Sequence, residues 1–256
     1  MKRQPLIDRR RFLLGAAQAI GLLLLGGCDN LSRSDWFARL LGRAEGLTRK
    51  AQRLVLARRA MAKEYTESDL SPVFPSNGTR DPSDPDYQVL AQKNFVDWRL
   101  EVGGLVKTPA SFSLAELRRF PSHTQITRHD CVEGWSAIGK WKGVPLGELL
   151  ARVQPVPSAR YAVFFCADPD DDDHYYYESI DFEDAYHPQT IIAYELNNQP
   201  LPIANGAPAR LRVERQLGYK MAKYVMRIEL VDTFHSIAGG RGGYWEDQGY
   251  EWYAGI

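Results

Sequence analysis

Residues 128–135 read RHDCVEGW, which places Cys131 shortly after an arginine and a histidine. Positive charge lowers the pKa of a thiol and favours the thiolate, the form that binds soft metals. A zinc site would need three or four ligands, and the sequence contains no CxxC or HxxxH spacing. A cysteine hydrolase would need a positioned histidine and an oxyanion hole, and nothing in this segment provides them. The residues alone therefore predict a reactive or metal-bound cysteine.

Two other cysteines, Cys28 and Cys166, occur in the chain. In an oxidising compartment Cys131 and Cys166 could pair, so an envelope thiol protein with this disulfide is an alternative interpretation. Cys28 belongs to a different kind of pattern, because it ends the run LGGC at residues 25–28. That run resembles a bacterial lipobox, in which the cysteine becomes the lipidated N-terminus.

The first 27 residues are typical of an export signal. Residues 8–13 read DRRRFL, which resembles the twin-arginine signal, and the uncharged apolar run from Phe12 to Gly27 follows. That run is shorter than the ~20 apolar residues of a membrane-spanning helix. An uncleaved anchor and a chance cysteine remain alternatives. With Cys28 lipidated, Asp29 favours retention at the inner membrane, so we expect the periplasm or cell envelope as the location.

Charge and turn residues predict the remaining organisation. Residues 1–63 carry 14 of the 32 basic residues but only 4 of the 32 acidic ones, so the body is acidic and a nucleic-acid partner is not expected. Residues 28–67 are expected to form a tether and a basic amphipathic helix from Trp36 to Tyr65. This helix would lie on anionic lipid or pack on the body. Residues 68–94 are predicted to be a linker or arm that contacts a domain at 95–256.

The body itself has the pattern of an α+β domain with a mixed sheet. A short helix is expected after Ser113, with Glu116 completing a capping box, and a second one from Leu146 to Val153. Strands are predicted at five places, which are Trp98–Val102, Tyr161–Cys166, Ile191–Leu196, Ala209–Glu214 and Lys223–Leu230.

Three ordered blocks give the body a family resemblance. They are RHDCVEGWSAIGKWKGVPL at residues 128–146, a block from His187 to Pro202, and NGAPARLRV through GYKMAK at residues 205–223. Together they resemble the sulfite oxidase superfamily of molybdopterin enzymes over roughly residues 70–253. The similarity is greatest to the branch that contains the periplasmic methionine sulfoxide reductase catalytic subunit. The implied fold is the sulfite-oxidase-type molybdopterin-binding fold.

The resemblance also implies a site. Cys131 matches the cysteine that ligates molybdenum beside a single pterin dithiolene, and Tyr250 matches a tyrosine on the substrate side of the metal. Asn205 and Arg210 match the pair that holds the pterin, and Lys223 matches a lysine near its phosphate. The remaining implied cofactor contacts are Asn77, Cys166, Met221 and Ala222.

The function implied by the resemblance is oxygen-atom transfer at a mononuclear molybdenum–molybdopterin centre. Residues 132–135 are neutral or acidic, whereas true sulfite oxidases have an arginine-rich stretch there, so a sulfoxide or another oxide, small or protein-borne, is favoured over sulfite. Electrons are expected to pass through a separate partner, a membrane haem protein being one candidate. The alternatives are a non-catalytic binding module with this fold and a sulfite-oxidase-like oxidation of a small substrate.

Overall fold

The computed structural model describes residues 60–256 and, before them, positions 37, 46–48, 50, 51 and 53. Residues 60–256 contain five short α-helices, α1 Pro85–Gln92, α2 Leu114–Leu117, α3 Leu146–Val153, α4 Phe182–Ala185 and α5 Tyr244–Asp247. The strands are β1 Arg99–Gly104, β2 Ala110–Ser113, β3 His123–Asp130, β4 Ser136–Pro145, β5 Tyr161–Pro169, β6 Tyr175–Asp181, β7 Ile191–Leu196, β8 Gln199–Pro200, β9 Arg210–Arg212 and β10 Val225–Val231. Short 3₁₀ turns lie at Glu67–Asp69, Ile203–Asn205 and Gly218–Lys220.

The strands form two sheets. The first has the order β2-β1-β10-β5-β6, and the second has the order β3-β4-β7-β8, with β9 also paired to β7. Strands β1 and β10 are parallel, whereas the other pairs are antiparallel, so both sheets are of the mixed or antiparallel kind. The α+β fold with mixed sheets and short helices is confirmed.

One large apolar cluster contains residues of both sheets and of α3, such as Phe164 of β5, Ile192 of β7 and Leu149 of α3. In α3 the buried residues are Leu146, Leu149, Leu150 and Val153, the i, i+3, i+4, i+7 spacing of one helix face. The predicted bounds of α3 are confirmed. The predicted capping box is also present, because Ser113 Oγ accepts from the backbone of Glu116 while Glu116 accepts from the backbone of Ser113.

The helix predicted up to Tyr65 ends earlier. The described positions from 37 to 53 are helical, but residues 60–65 are not. Glu64 instead forms a β-bridge with Thr127, and the backbone N–H of Tyr65 donates to Ile126 O at 2.9 Å. The segment satisfies its backbone groups on the edge of β3, which a basic amphipathic pattern does not reveal. The predicted signal peptide and Cys28 lie outside the described residues.

Helix α1 lies inside the segment that the sequence predicts as a linker. Asp84 caps it by accepting from the backbone N–H of Tyr87 at 2.7 Å, and Pro85 occupies its first position. Tyr87 is completely buried, and its hydroxyl donates to Ala207 O at 2.7 Å. The arm is thereby attached to the segment that follows β8. In the part of the chain that the structure describes, no helix has the length and apolarity needed to cross a membrane.

Candidate active site

A cavity of about 340 Å³ collects residues from five segments of the chain. They are the arm at residues 77–79, the β3–β4 loop at 131–133, the end of β5 with the residues that follow, the loop at 218–223, and the segment from α5 to residue 250. Five of the predicted site residues line this cavity, namely Asn77, Cys131, Met221, Lys223 and Tyr250. The other four, Cys166, Asn205, Arg210 and Ala222, are buried and do not line it.

Cys131 occupies the tight turn between β3 and β4. Its backbone N–H donates to Trp135 O at 2.9 Å, and its carbonyl accepts from Gly134 N–H at 3.0 Å. Gly134 has a φ of +90°, a left-handed conformation that residues with a Cβ rarely adopt. This turn presents the Cys131 side chain to the cavity while leaving it only 8% exposed.

The charge environment of Cys131 differs from the one that the sequence predicts. Burial raises the pKa of the thiol, and the backbone N–H groups of Glu133 and Val132 together with Arg210 oppose that rise. Arg128 is exposed and ion-paired with Asp130 at 2.9 Å, because residue 128 faces the opposite side of β3. The prediction that Arg128 and His129 lower the pKa of Cys131 is therefore wrong. A bound soft cation would have to displace the proton itself.

His129 has a structural role. It is completely buried, and Arg212 Nη1 donates to its Nδ1 at 2.9 Å, so the proton of the neutral ring lies on Nε2. Burial, reinforced by Arg212, holds the pKa of His129 well below its usual value. The ring packs beneath Gly218, where an added Cβ would lie 2.4 Å from His129 Nε2. His129 does not line the cavity, and its hydrogen bond with Arg212 gives it a structural role.

Two cations lie in or behind the cavity wall. Arg210 is fully buried, and it donates through Nη1 to Asn205 O at 2.9 Å and through Nη2 to Met221 O at 3.2 Å. Lys223 donates to Asn77 O at 2.7 Å, to Ala204 O at 3.1 Å and to Thr79 O. Burial lowers the pKa of Arg210 to about 9 and that of Lys223 to about 7.

Both cations lack a carboxylate partner. Within residues 60–256 the recorded ion pairs include neither Arg210 nor Lys223, and Arg210 Nε has no hydrogen-bond partner. Their neighbour Arg212, by contrast, is neutralised by Glu214 at 2.7 Å. Asp168 and Glu133 oppose the lowering of the pKa of Lys223 by burial, but burial outweighs them. Buried cations are costly unless an anion compensates them. These residues therefore fit an anionic ligand, such as a phosphate, bound beside the Cys131 cavity.

The remaining predicted contacts support the wall of the cavity. Met221 is held by its own N–H, which donates to Gly218 O at 3.1 Å, and by its carbonyl, which accepts from Arg210. The carbonyl of Ala222 accepts from Leu211 N–H at 2.8 Å. Asn205 Nδ2 donates to Pro75 O at 3.4 Å and so ties the arm to this loop. Cys131 and Cys166 are both free thiols, which does not support the alternative of a disulfide.

The mouth of the cavity is aromatic. Tyr250 stacks on Trp245 with ring centroids 5.3 Å apart and meets Tyr219 edge-on at the same distance. Tyr176 and Tyr244 stack with centroids 5.6 Å apart. Of these five residues, the sequence predicts only Tyr250 as part of the site. The others are not recognisable from sequence, because they meet only when α5 packs against β6 and the 218–220 turn.

Two charged features were also missed. Lys220 lies between Glu178 and Glu246, and all three side chains are buried. Asp168 lines the cavity and is 7% exposed, and burial raises its pKa to about 7. Within residues 60–256 no three His, Cys, Asp or Glu side chains are grouped as a metal cluster, and this includes the acidic run at 170–173. A metal at this site would therefore depend on Cys131 and on ligands from a cofactor.

A buried thiol beside two cations that form no ion pair within residues 60–256, in a two-sheet α+β fold, fits a cofactor-dependent oxidoreductase. Residues 87–236 match the family described as the oxidoreductase molybdopterin binding domain. This match covers more than half of the chain, so the chain belongs to this family of molybdopterin-binding oxidoreductases. Its cofactor is Mo-molybdopterin, and the predicted family, enzyme class and cofactor are confirmed.

Two relatives and one solved structure are similar to this chain. A putative protein-methionine-sulfoxide reductase subunit of Azospira oryzae is 37% identical over 247 residues, which cover 96% of this chain and 87% of that protein. The protein-methionine-sulfoxide reductase catalytic subunit of Xanthomonas axonopodis pv. citri is 40% identical over 151 residues, or 55% of this chain, and the match spans 47% of that protein. The solved sulfane dehydrogenase SoxCD of Paracoccus pantotrophus aligns with a TM-score of 0.49 and 26% identity, covering 54% of this chain and 39% of that one.

Lys223 provides a test of the anion site. Lys223→Met should lower molybdenum and pterin content, because a charged hydrogen bond to a phosphate contributes about 1.5–3 kcal/mol, or roughly tenfold or more in affinity. Since the pKa of Lys223 is about 7 without a ligand, retention of pterin should weaken as the pH rises from 7 to 8.5. Pterin retained after gel filtration at each pH measures this.

Two controls define that result. Lys223→Arg should flatten the pH dependence, because a guanidinium stays charged over this range. Lys142→Met removes an equal charge from a half-exposed lysine that lies 3.6 Å from Glu195, and it should leave pterin content unchanged. Equal pterin loss in the Lys142 and Lys223 variants would contradict a specific anion site.

Proposed function

We propose that this chain is the catalytic subunit of an exported molybdopterin-dependent reductase that reduces sulfoxides, methionine sulfoxide among them. The observation that carries the proposal is the cavity itself, which places the Cys131 thiol, the Lys223 cation and the aromatic mouth around one space. Two relatives named as protein-methionine-sulfoxide reductase subunits support the substrate class.

In this proposal Cys131 is the thiolate ligand of molybdenum, and Arg210 and Lys223 neutralise the pterin phosphate. Asn77, Asn205, Cys166, Met221 and Ala222 shape the pterin pocket as side-chain or backbone contacts. When bound, the cofactor supplies two-electron oxygen-atom transfer, and the protein supplies orientation and electrostatics. The reduction consumes two protons and two electrons and converts a sulfoxide into a thioether and water.

The charges at the mouth favour a neutral substrate over sulfite. Glu133, Asp168 and Asp170 line the same cavity as Cys131, whereas the cation among its lining residues, Lys223, is held by backbone carbonyls. An anion that approaches Cys131 from solvent would meet these carboxylates. A sulfoxide carries no net charge, and its polarised oxygen can accept a hydrogen bond from a hydroxyl group such as that of Tyr250.

The proposed cellular setting rests on the sequence patterns of residues 1–67. A twin-arginine signal and lipidation at Cys28 would deliver a folded, cofactor-loaded protein to the periplasmic face of the inner membrane. Electrons would come from a separate protein, with a membrane haem protein as the candidate. The names of both relatives as subunits support the existence of such a partner.

The proposal is tested with protein expressed with its own signal in a host that makes molybdopterin. We expect about one molybdenum and one pterin per chain, the stoichiometry of a single-site cofactor. With a reduced dye as electron donor, the protein should reduce methionine sulfoxide and dimethyl sulfoxide, and it should not oxidise sulfite. A loaded protein without turnover on any sulfoxide would favour the non-catalytic binding module, and sulfite oxidation would favour the other alternative.

Tyr250 provides the second test of this function. Tyr250→Phe keeps the stacked ring but removes the hydroxyl at the mouth, so kcat/KM for a sulfoxide should fall by about tenfold, the effect of one lost hydrogen bond to the substrate. Molybdenum and pterin content should not change, because the ring still packs on Trp245 and Tyr219. An unchanged kcat/KM would show that the hydroxyl of Tyr250 does not contribute to substrate binding or turnover.

A further inference from the structure

One wall of the cavity differs from the others in how it is held. Residues 72–80, which we call the strap, are the part of the arm that runs from β4 to α1, and residues 77–79 of the strap line the cavity. Within residues 60–256 the strap forms no hydrogen bond from backbone to backbone. Segments with few such bonds are the ones that open locally at low cost in free energy.

The other walls are closed by backbone hydrogen bonds. The turn that holds Cys131 is closed in this way, as described above, and in the neighbouring turn Met221 N–H donates to Gly218 O at 3.1 Å. At the mouth Tyr250 N–H donates to Trp245 O at 3.0 Å, and the remaining wall consists of β5 and β6, which pair with each other. The strap is therefore the wall that can move without breaking a bond of a strand, helix or turn.

Both ends of the strap are fixed. Before it, Ser71 N–H donates to Ile138 O at 3.1 Å, and Ile138 N–H donates to Ser71 Oγ at 2.9 Å. After it, α1 is attached through Tyr87, which is completely buried and bonded to Ala207 O. Movement is therefore confined to the strap, as in a lid that is hinged at both of its ends.

Lys223 holds the middle of the strap from the opposite side. Its Nζ atom donates to Asn77 O at 2.7 Å and to Thr79 O, which both belong to the strap. A third bond, to Ala204 O at 3.1 Å, uses the last of its three N–H groups. Lys223 can therefore donate to a phosphate only after it has released one of these carbonyl groups.

Asn205 repeats this arrangement. Its Nδ2 atom donates to Pro75 O of the strap at 3.4 Å, and its own carbonyl accepts from Arg210 Nη1 at 2.9 Å. Arg210 does not line the cavity, so it lies behind the residues that the strap contacts. Two donors assigned above to the cofactor, Lys223 and Asn205, are thus used by the strap, which lies across the approach to the third.

Phe74 keeps the strap in its closed position. Its ring meets Trp141 and Trp135 edge-on, with centroids 5.1 and 6.4 Å apart, and it is partly buried. The slot for this ring exists because residue 139 is glycine, since a Cβ there would lie 2.9 Å from Cδ2 of Phe74. Such an apolar contact can be released and formed again without a change in any backbone hydrogen bond.

We propose that the strap is a gate, which opens to let the phosphate end of the cofactor reach Asn205 and Arg210 and then closes behind it. Phe74 favours the closed position, and Lys223 and Asn205 exchange strap carbonyls for cofactor oxygens during entry. This inference concerns the entry and release of the cofactor. It rests on the placement of the cofactor beside Cys131 in the proposed function and is independent of which oxide is reduced.

The test is a disulfide that locks the strap, made by Phe74→Cys together with Gly139→Cys. The two new side chains meet, because a Cβ at residue 139 points at the side chain of residue 74. Full-length protein from a host without molybdopterin is incubated with molybdopterin released by heat from a purified molybdopterin enzyme, and bound pterin measures uptake. Pterin lost from loaded protein during dialysis measures release. The two single-cysteine variants control for pairing with Cys131 or Cys166.

Oxidation before loading should slow pterin uptake by about tenfold relative to the same protein reduced, because about 90% cross-linking leaves a tenth of the molecules able to open. Oxidation after loading should slow release to a similar extent. Reduction should reverse both effects, and the single-cysteine variants should show neither. Equal rates of uptake and release in the cross-linked and reduced protein would overturn the gate.

Phe74→Ala provides a second test that needs no cross-link. Loss of its aromatic contacts should favour the open strap, so uptake and release should both become faster by about tenfold. Phe120→Ala is the matched control, because Phe120 is also half-buried and edge-on to an aromatic ring, that of Phe112 at 5.5 Å, but lies outside the cavity. It should change neither rate. Faster release with slower uptake in Phe74→Ala would show a wall that only supports bound cofactor, and would reject the gate.

These outcomes are separate from those that test the proposed function. Uptake that depends on the cross-link, in a protein that reduces no sulfoxide when loaded, would support the gate and reject sulfoxide reduction. Uptake that ignores the cross-link, in a protein with full sulfoxide reductase activity, would reject the gate alone. A failure of every form to take up pterin at this cavity would reject the gate together with the cofactor placement on which it rests.

Discussion

Cys131→Ser is expected to lower sulfoxide reduction by more than about a hundredfold, a larger effect than the 10–100-fold typical of groups that only support a metal ligand. A serine hydroxyl is a hard, weakly acidic donor and cannot replace a thiolate as a ligand for a soft metal site. Molybdenum content should fall with activity. Pterin should be retained in part, because Arg210 and Lys223 are unchanged. Metal analysis and pterin fluorescence of the purified variant measure both quantities.

The stability of the Cys131→Ser variant serves as its control. The side chain of Cys131 meets the cavity and the backbone N–H groups of Glu133 and Val132, which a serine oxygen can also meet. The unfolding temperature without cofactor should therefore stay close to that of wild type. Cys166→Ser should reduce activity far less, since this change leaves the proposed metal–thiolate bond in place. Equal losses in the two variants would instead favour the alternative in which Cys131 and Cys166 act as a thiol pair.

Much of the fold could be predicted because local patterns agree with burial. Strand β7 at Ile191–Leu196 and helix α3 at Leu146–Val153 have the predicted bounds; β7 consists largely of buried residues, and α3 buries one apolar face. The cap at Ser113 is likewise local, because it needs only Glu116 three residues later. The residues of such elements are sufficient to predict them, because no distant contact is needed to explain their structure.

Strand β3 shows why other elements were missed. Its inward-facing residues Gln125, Thr127 and His129 are polar, yet each is at most 1% exposed. Distant residues satisfy part of their polar groups, as when Gln125 Nε2 donates to Glu214 at 2.8 Å, whereas Thr127 Oγ1 has no partner among the described residues. A hydrophobic alternation test cannot find a strand whose buried face is polar. The same long-range network determines that His129 is structural.

Only those residues of the candidate site that the family resemblance implies could be predicted from the sequence. The resemblance placed Cys131, Lys223 and Tyr250 on one cavity before any geometry was known. It did not indicate Asp168, since its place on the cavity wall depends on β5 ending beside the arm. It also could not supply the pKa of Cys131, because a raised or lowered pKa depends on which face of β3 each neighbour occupies.

The group of Glu178, Lys220 and Glu246 connects this site to the stability of the fold. Lys220 Nζ contacts Glu246 Oε1 at 2.5 Å and also contacts Glu178 Oε1, and all three side chains are at most 1% exposed. Burial alone would lower the pKa of Lys220, but the two carboxylates raise it. Glu246 lies in α5 beside Trp245, so this group joins β6 and the 218–220 turn to the aromatic mouth.

Lys220→Met is expected to destabilise the protein strongly, because it leaves two carboxylates buried without a counter-charge. Removing one partner of a buried ion pair costs about 3–5 kcal/mol. For a domain of this size, each kcal/mol lowers the unfolding temperature by about 2–4 °C, so a fall of about 6–20 °C should be seen by thermal denaturation. Lys93→Met is the matched control, because Lys93 pairs with Asp97 at 3.0 Å on the surface and should change stability little.

The pH dependence of this variant distinguishes loss of charge from loss of packing. Burial and the charge of Glu246 raise the pKa of Glu178 well above its usual value of 4.5. The folded state therefore binds a proton that the unfolded state has released, and stability falls as the pH rises above about 4.5. Without Lys220 this effect should grow, so Lys220→Met should be closer to wild type at pH 5 than at pH 8. Adding Glu178→Gln and Glu246→Gln should restore much of the stability at pH 8, whereas a deficit independent of pH and of these changes would show that Lys220 acts through packing alone.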